Sequence, residues 1–274
     1  MTRRLNMTHA ARILAALALV WCAFALLLFP DGGLSLAARP SSDPDMLWNI
    51  VHRLCVPNAE RFGDPAPCQR VELRGAERNG YAVLKDPFHS TQFLVVPTAR
   101  ITGIESPALL AANAPNYFES AWGVRAYVGQ AVHRTVPRDD IGLAVNSAAA
   151  RTQNQLHIHI DCVRGDVRAA LQRAPAIPRR WAPLGVLLAG HKYLAMRVDA
   201  AQLNGVNPFR LLADGVAGAR ADMGDHTLIA IGASFSNGHP GFILLDGHVD
   251  RAAGENASGE ELLDHSCAVA KRSS

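Results

Sequence analysis

The segment from Gln155 to Cys162 reads QLHIHIDC and alternates polar with apolar residues. Successive side chains of a β-strand point to opposite faces, so the pattern predicts that His157, His159 and Asp161 share one face. The intervening leucine and two isoleucines then pack into a core on the other face. An imidazole is mostly neutral near pH 7 and can act as a nucleophile or a base. The segment therefore predicts a strand that carries catalytic chemistry.

Two other interpretations of this strand remain open. The histidines could be solvated on an exposed face, or they could chelate a metal ion with Asp161 as a third ligand. The preceding residues favour catalysis, because Asn146 ends a predicted strand and the connection 147–155 contains small residues followed by Gln153 and Asn154. Such a connection can direct backbone N–H groups and amide side chains at a phosphate.

The elements that must position these residues follow from apolar periodicity and turn residues. In the first half of the chain, helices are predicted over Met46–Cys55 and about Pro115–Val132. Strands are predicted over Tyr81–Leu84, Thr91–Pro97, Ile141–Val145 and Leu156–Val163. In the second half, a helix is predicted from Asn207 to about Arg220. Strands are predicted over Gly185–Leu188, Tyr193–Val198, Thr227–Phe235 and Gly241–Leu245. This order favours an α+β fold in which a strand–strand–helix–strand–strand unit occurs twice.

The N-terminal region contains an apolar run. Residues 13–29 are seventeen apolar residues that follow three arginines. As a helix the run spans about 25 Å, slightly short of a hydrocarbon core of about 30 Å. A cleaved signal peptide, an uncleaved signal anchor and a buried helix are all possible. The anchor is favoured because Leu36 occupies the position where a cleavage site needs a small residue. Residues 31–45 then form a tether, and the remaining chain lies across the membrane from the arginines.

Cysteine usage agrees with export. Cys22 lies in the apolar run, which leaves Cys55, Cys68, Cys162 and Cys267, an even number. We favour the pairs Cys55–Cys68 and Cys162–Cys267 among the three possible pairings. Four buried thiols or a zinc site are the alternatives, and zinc is disfavoured because the chain has no CxxC or HxxxH spacing.

Composition excludes one class of protein and gives no support to another. Of the 274 residues, 49% are hydrophobic and 19% are charged, which excludes global disorder. The net charge of +3 is too small to indicate a nucleic-acid partner.

The chain resembles the histidine-triad superfamily of nucleotidyl hydrolases and transferases over about residues 46–166. Asn146 lies eleven residues before His157, as an asparagine does in that superfamily. The segment 93–97 is similar to its core strand and the segment 47–51 to its opening helix. Within the superfamily, the chain is most similar to bacterial CDP-diacylglycerol pyrophosphatases, because it shares their N-terminal span, LWNIVHRLC, PAPC, HIHIDC and a long C-terminal half.

The resemblance implies a reaction and a location. The expected reaction is hydrolysis of the pyrophosphate of CDP-diacylglycerol to CMP and phosphatidate through a nucleotidyl-histidine intermediate, with no cofactor and no metal. The expected location is the bacterial inner membrane, with a single span and the catalytic domain on the periplasmic side. Partners are then the lipid substrate and the bilayer, with no nucleic acid. A hydrolase or transferase of another nucleotide-linked pyrophosphate and a non-catalytic nucleotide-binding domain are the alternatives.

The resemblance also implies catalytic roles for individual residues. His157 matches the histidine that orients, and His159 matches the nucleophile that takes the nucleotidyl phosphorus. Asp161 stands where the superfamily has a third histidine, so the proton-transfer role of that position is altered. Asn146 matches a residue that orients the nucleophile.

Further positions match binding residues of the superfamily. Gln153 and Asn154 match phosphate-binding positions. Asp86 is expected to hold the ribose hydroxyls, and Gln92 stands where many members have another histidine.

The resemblance divides the chain into an anchor (1–30), a linker (31–45), a catalytic domain (46–167) and a C-terminal half (168–274). Set against HIHID, the segment FILLD at residues 242–246 has phenylalanine and leucine in place of the histidines. The C-terminal half is therefore interpreted as a degenerate repeat that supplies the partner surface of a homodimer. The protein is expected to be a monomer with an internal pseudo-dimer, or a homodimer.

Overall fold

The structure, a computed structural model, describes residues 43–73, 79–203, 205–235 and 238–271. The apolar run at 13–29 and most of the predicted tether lie outside these residues, so the anchor stays a prediction. Within the described ranges, no helix has the length and apolar character needed to span a bilayer.

Short helices surround the sheet. They are α1 (Met46–Ile50), α2 (Val56–Phe62), α3 (Tyr117–Gly123), α4 (Ala126–Ala131), α5 (Gly165–Arg173), α6 (Ala200–Leu203), α7 (Pro208–Gly215), α8 (Ala219–Asp222) and α9 (Ala268–Lys271). A π-helical turn (Val51–Cys55) joins α1 to α2, and 3-10 turns lie at Pro107–Leu110, Arg138–Asp140, Met223–Asp225 and Gly259–Leu262. Asn116 and Asn207 cap α3 and α7 by accepting a hydrogen bond from a backbone N–H of the first turn.

One antiparallel sheet of ten strands organises the described chain. The strands are β1 (Arg70–Glu72), β2 (Tyr81–Lys85), β3 (Phe93–Pro97), β4 (Ile141–Val145), β5 (Ile158–Val163), β6 (Ala182–Pro183), β7 (Leu194–Asp199), β8 (His226–Ser234), β9 (Pro240–His248) and β10 (Leu263–Asp264). Their order is β1-β2-β3-β5-β4-β8-β9-β7-β6, and β10 pairs with the end of β5. Outward from the central β4–β8 pair, the strands β4, β5, β3 and β2 on one side correspond to β8, β9, β7 and β6 on the other. The predicted α+β class with antiparallel strands is confirmed.

The two faces of the sheet have different cores. The larger core lies on the face of Ile158 and Ile160, where α3, α4 and α7 pack against the strands. The other face carries a core around Val163 and α5, and a separate core around Val51 and the Cys55–Cys68 bridge. β5 lies between these two smaller cores and presents His159 there.

Strand register corrects the sequence comparison between the two halves. His159 pairs with Ala144, which pairs with Ile229, which pairs with Leu245. Paired residues point to the same face, so Leu245 occupies the row of His159 in the second half. Phe242 and Leu244 point instead into the larger core. The interpretation that Phe242 and Leu244 replace the histidines was therefore wrong. A shift of one residue along a strand moves each side chain to the opposite face of the sheet.

Three predicted elements differ from the structure. Gly185–Leu188 is not a strand but an irregular segment, where Gly185 has a φ of 81°. The helix predicted over 115–132 is interrupted after Gly123 and forms α3 and α4. The helix predicted from Asn207 to Arg220 likewise divides into α7 and α8, because Val216 is extended and Gly218 takes a positive φ of 86°.

Candidate active site

The middle of β5 positions the central histidine. His159 pairs with Leu94 of β3 on one side and with Ala144 of β4 on the other. Its side chain is 7% exposed, and Ile158 and Ile160 are fully buried on the opposite face. The alternation predicted for the HIHID strand is therefore present, and His159 is held by backbone pairing on both sides.

The ring of His159 faces a carboxylate from the C-terminal part of the chain. Its Nδ1 lies 3.2 Å from Oε1 of Glu260, which belongs to the 3-10 turn Gly259–Leu262. Among the described residues, neither ring nitrogen of His159 makes a hydrogen bond of good geometry. Buried polar atoms normally find partners, so an unsatisfied imidazole in this position is available to a ligand.

Two amide side chains hold Glu260 in place. Nε2 of Gln92 donates to its Oε1 over 2.8 Å, and Nδ2 of Asn146 donates to its Oε2 over 3.3 Å. Oδ1 of Asn146 also accepts from the backbone N–H of Glu260 over 3.1 Å. Burial alone would raise the pKa of Glu260, but interactions with His159, Gln92 and His265 lower it well below the ordinary value. Glu260 is therefore a carboxylate at neutral pH.

A second imidazole reaches the site beside β10. Nδ1 of His265 lies 3.0 Å from Oδ2 of the fully buried Asp161, and its Nε2 lies 3.6 Å from Oε1 of Glu260. Oδ1 of Asp161 accepts from the hydroxyl of Thr91 over 2.7 Å. The hydrogen bond to Asp161 raises the pKa of His265. Burial raises the pKa of Asp161, and its hydrogen bonds to His265 and Thr91 oppose that shift.

His157 lies beside His159 and is neutral at physiological pH. Its Nδ1 is 2.7 Å from the backbone carbonyl oxygen of Gln155, and its ring meets that of His159 edge-on at 4.8 Å. Burial, with the nearby His159 as a further cause, lowers the pKa of His157 to about 4. The role that the resemblance implies for it, to orient His159, stays a prediction.

The loop before β3 closes one side of the site. Nδ1 of His89 lies 3.0 Å from Oδ2 of Asp86 and 3.1 Å from Oε1 of Gln92, and its ring lies 3.9 Å from that of His265. Asp86 also accepts the backbone N–H of Phe88 over 2.7 Å. The structure thus brings Asp86 and Gln92 to the site, although its hydrogen bonds place Asp86 behind His89. Its contact with ribose stays a prediction.

Gln153 and Asn154 are not drawn into this cluster. Oε1 of Gln153 accepts from the N–H of Leu47 over 2.8 Å, which caps α1, and its Nε2 donates to the carbonyl of Asp43 over 3.1 Å. The backbone N–H of Asn154 donates to the carbonyl of Pro44 over 2.6 Å. Their role in phosphate binding stays a prediction without a contact to support it.

The backbone of the 147–155 connection is also largely engaged. The N–H groups of Ser147, Ala148 and Arg151 donate to protein carbonyls. Those of Ala149 and Ala150 reach the hydroxyl of Ser147 over 3.2 Å. These amides stabilise the loop itself, so the expected cradle of free N–H groups is not formed by them.

Sequence reasoning missed Glu260 and His265. Both lie about a hundred residues beyond β5 in a segment without apolar periodicity. The favoured disulfides were the available signal, because a bridge from Cys162 to Cys267 brings that segment to the end of β5. The structure contains this bridge and the Cys55–Cys68 bridge, with Cα–Cα distances of 5.0 and 5.6 Å.

The residues beside His159 include a group that could hold a cation. Ligand atoms of His89, Glu260 and His265 lie within 4.8 Å of one another. The trio His157, His159 and Asp161, considered from the sequence as a metal site, forms no such group within the described chain.

The part of the chain that matches known proteins includes all the site residues described above. Residues 42–271 match the family model described as CDP-diacylglycerol pyrophosphatase. The CDP-diacylglycerol pyrophosphatase of Yersinia pestis is 42% identical over 229 residues, which cover 83% of this chain and 86% of that protein. The family match extends beyond β5 through the segment that carries Glu260 and His265.

Proposed function

The chain belongs to the CDP-diacylglycerol pyrophosphatase family and hydrolyses CDP-diacylglycerol, and from this premise we propose that His159 is the nucleophile of the reaction. The observation that carries the proposal is the buried ring of His159, whose Nδ1 faces Glu260 and whose Nε2 has no hydrogen-bond partner in the described part of the chain. The negative charge of the carboxylate that faces Nδ1 favours the proton on that nitrogen, which leaves the lone pair on Nε2.

The first step transfers the nucleotidyl group. Nε2 of His159 attacks the phosphorus that bears the cytidine, an N–P bond forms, and the bond from that phosphorus to the bridging oxygen breaks. Phosphatidate leaves with the electron pair, and the carboxylate of Glu260 stabilises the positive charge that develops on the ring. Water then attacks the same phosphorus, breaks the N–P bond and releases CMP. Covalent catalysis divides one difficult displacement into two easier steps.

His265 supplies the imidazole that β5 lacks. Asp161 replaces the expected third histidine, yet it holds Nδ1 of His265 at 3.0 Å. The raised pKa of His265 favours its protonated form near the phosphate groups. We assign to His265 the stabilisation of negative charge on the leaving phosphate, a role in which positioning and electrostatics dominate.

The C-terminal half completes the fold around this site. The mirrored strand order and the β4–β8 pair support a degenerate second unit in residues 168–274 that stands where a homodimer would supply its partner. In the same proposal, the apolar run at 13–29 anchors the protein in the inner membrane, with the catalytic domain on the periplasmic side next to its lipid substrate.

The substitution His159→Asn tests the nucleophile. Detergent-purified wild-type protein, incubated with CDP-diacylglycerol in EDTA, is expected to release CMP. The variant is expected to bind the substrate and to release none. Measurable turnover by pure, folded His159→Asn protein would contradict the assignment, and accumulation of a cytidylyl-protein adduct on wild type alone would support it.

A further inference from the structure

A second cluster of histidines and aspartates lies away from the catalytic site. His226 begins β8 and His248 ends β9, and the two residues are register partners. Strand alternation places His226 on the face of Leu228, opposite to the face of His159. Asp222, the last residue of α8, lies against both rings.

The atoms of this cluster meet at the distances that metal ligands adopt. Nε2 of His226 lies 3.3 Å from Oδ1 of Asp222, and Nε2 of His248 lies 3.5 Å from its Oδ2. The ligand atoms of the three residues lie within 4.8 Å of one another. His226 is 4% exposed, while His248 and Asp222 are about half exposed, so the cluster is open to ions from solvent.

The outer hydrogen bonds of the histidines select the tautomer that binds metals. Nδ1 of His226 lies 2.8 Å from Oδ1 of the buried Asp246, and Nδ1 of His248 lies 2.9 Å from the carbonyl oxygen of Val249. Each acceptor holds the ring N–H on Nδ1, so the lone pair of each neutral ring lies on Nε2. Both lone pairs then face the carboxylate of Asp222. Metal-binding histidines show this pattern, with one nitrogen on an oxygen acceptor and the other on the ion.

We propose that His226, His248 and Asp222 bind a zinc-class divalent cation, with Asp246 as the outer partner of His226. Two imidazoles and one carboxylate suit zinc or a neighbouring transition metal better than calcium or magnesium, which take oxygen ligands. Three protein ligands leave a fourth position of the tetrahedron to water. The ion joins the end of α8 to the ends of β8 and β9, so its role is structural.

The test is zinc titration of the full chain, read by calorimetry and by the melting temperature. Because His89, Glu260 and His265 form another candidate group, the measurements use His265→Ala protein as the background. The background is expected to bind one equivalent of zinc and to melt at a higher temperature when zinc is added. His248→Ala and Asp222→Asn, each at a half-exposed position, are expected to remove the equivalent and the thermal shift.

Two further variants sharpen the test. Asp246→Asn is expected to weaken zinc binding by about 10-fold or more, as loss of an outer partner does. His133→Asn is the matched control, since His133 is exposed and has a φ of 54°, a conformation that asparagine tolerates. Absence of zinc binding in the background, or an equivalent that persists in folded His248→Ala protein, would overturn the proposal. CMP release takes no part in these readouts, so the result is independent of the proposed mechanism.

Discussion

At the level of single residues, the proposed mechanism depends on the pair of Glu260 and His159. In that mechanism, the carboxylate 3.2 Å from Nδ1 favours one tautomer of the ring and stabilises its positive charge after attack. We therefore expect Glu260→Gln to lower kcat by about 100-fold or more, with little change in KM. Steady-state CMP release measures both constants.

Glu261 provides the control for this substitution. It neighbours Glu260 in sequence but accepts the hydroxyl of Tyr193 over 2.7 Å. Glu261→Gln is expected to retain most of the wild-type kcat. Equal losses in the two variants would mean that the segment as a whole, rather than the carboxylate at His159, is required.

The interaction of His265 with Asp161 predicts how activity falls on the alkaline side of the pH profile, here called the alkaline limb. Asp161 raises the pKa of His265, and the protonated ring is the proposed active form. Activity is thus present below that pKa and is lost as the pH rises through it. Asp161→Asn removes the cause of the shift, so the limb is expected to move to lower pH. Profiles of kcat/KM from about pH 5 to about pH 9 measure it.

Thr91→Val separates this effect from general disturbance of the site. It removes the other side-chain hydrogen bond to Asp161 and leaves His265 in place. A much smaller displacement of the limb is expected than for Asp161→Asn. If the limb stays where it is in Asp161→Asn and in His265→Ala, another group titrates there and His265 has no protonated role.

The two disulfides act on different elements. The Cys162–Cys267 bridge closes 105 residues and holds the segment with Glu260 and His265 on β5. The Cys55–Cys68 bridge closes 13 residues beside α2. Chain entropy assigns them about 4.7 and about 3 kcal/mol of stability. We expect replacement of either pair by alanine to lower the melting temperature, and only loss of the first pair to abolish CMP release.

The measurement compares turnover per folded molecule well below both melting temperatures. Loss of activity in the Cys55→Ala/Cys68→Ala protein while it is still folded would show that the short bridge also shapes the site. Full activity in the Cys162→Ala/Cys267→Ala protein would show that β10 pairs with β5 without the bridge.

The elements also show what a single sequence can predict. The face of His159 follows from two-residue alternation inside β5, a local property, and this prediction was confirmed. The strand predicted at Gly185–Leu188 was wrong because a short apolar run fits a strand and an irregular segment equally well. Glu260 and His265 could not be found from pattern, since only tertiary pairing of β10 with β5 brings them to the site.

At the scale of the whole molecule, the sheet makes the two halves interdependent. Hydrogen bonds between β4 and β8 continue the sheet across the boundary at 167 and 168, and the described residues on both sides of it belong to one compact unit. The histidines come from the first half, and Glu260 and His265 come from the second. A fragment that ends at residue 167 therefore lacks both the neighbour of β4 and the partner of His159.

The proposed anchor has one expected effect, which is to raise the concentration of lipid substrate near the site. It contributes no residue to the site itself. The site residues lie within 43–271, so protein without residues 1–42 is expected to hydrolyse a water-soluble, short-chain CDP-diacylglycerol with the kcat of the full chain. On CDP-diacylglycerol in vesicles, it is expected to be slower, because tethering raises the effective concentration of substrate. CMP release from both substrates measures the difference, and an unrelated membrane span fused before residue 43 should restore the vesicle rate. Equal vesicle rates with and without residues 1–42 would contradict the anchor, since a span that acts through concentration alone must change the rate wherever the substrate is confined to a bilayer.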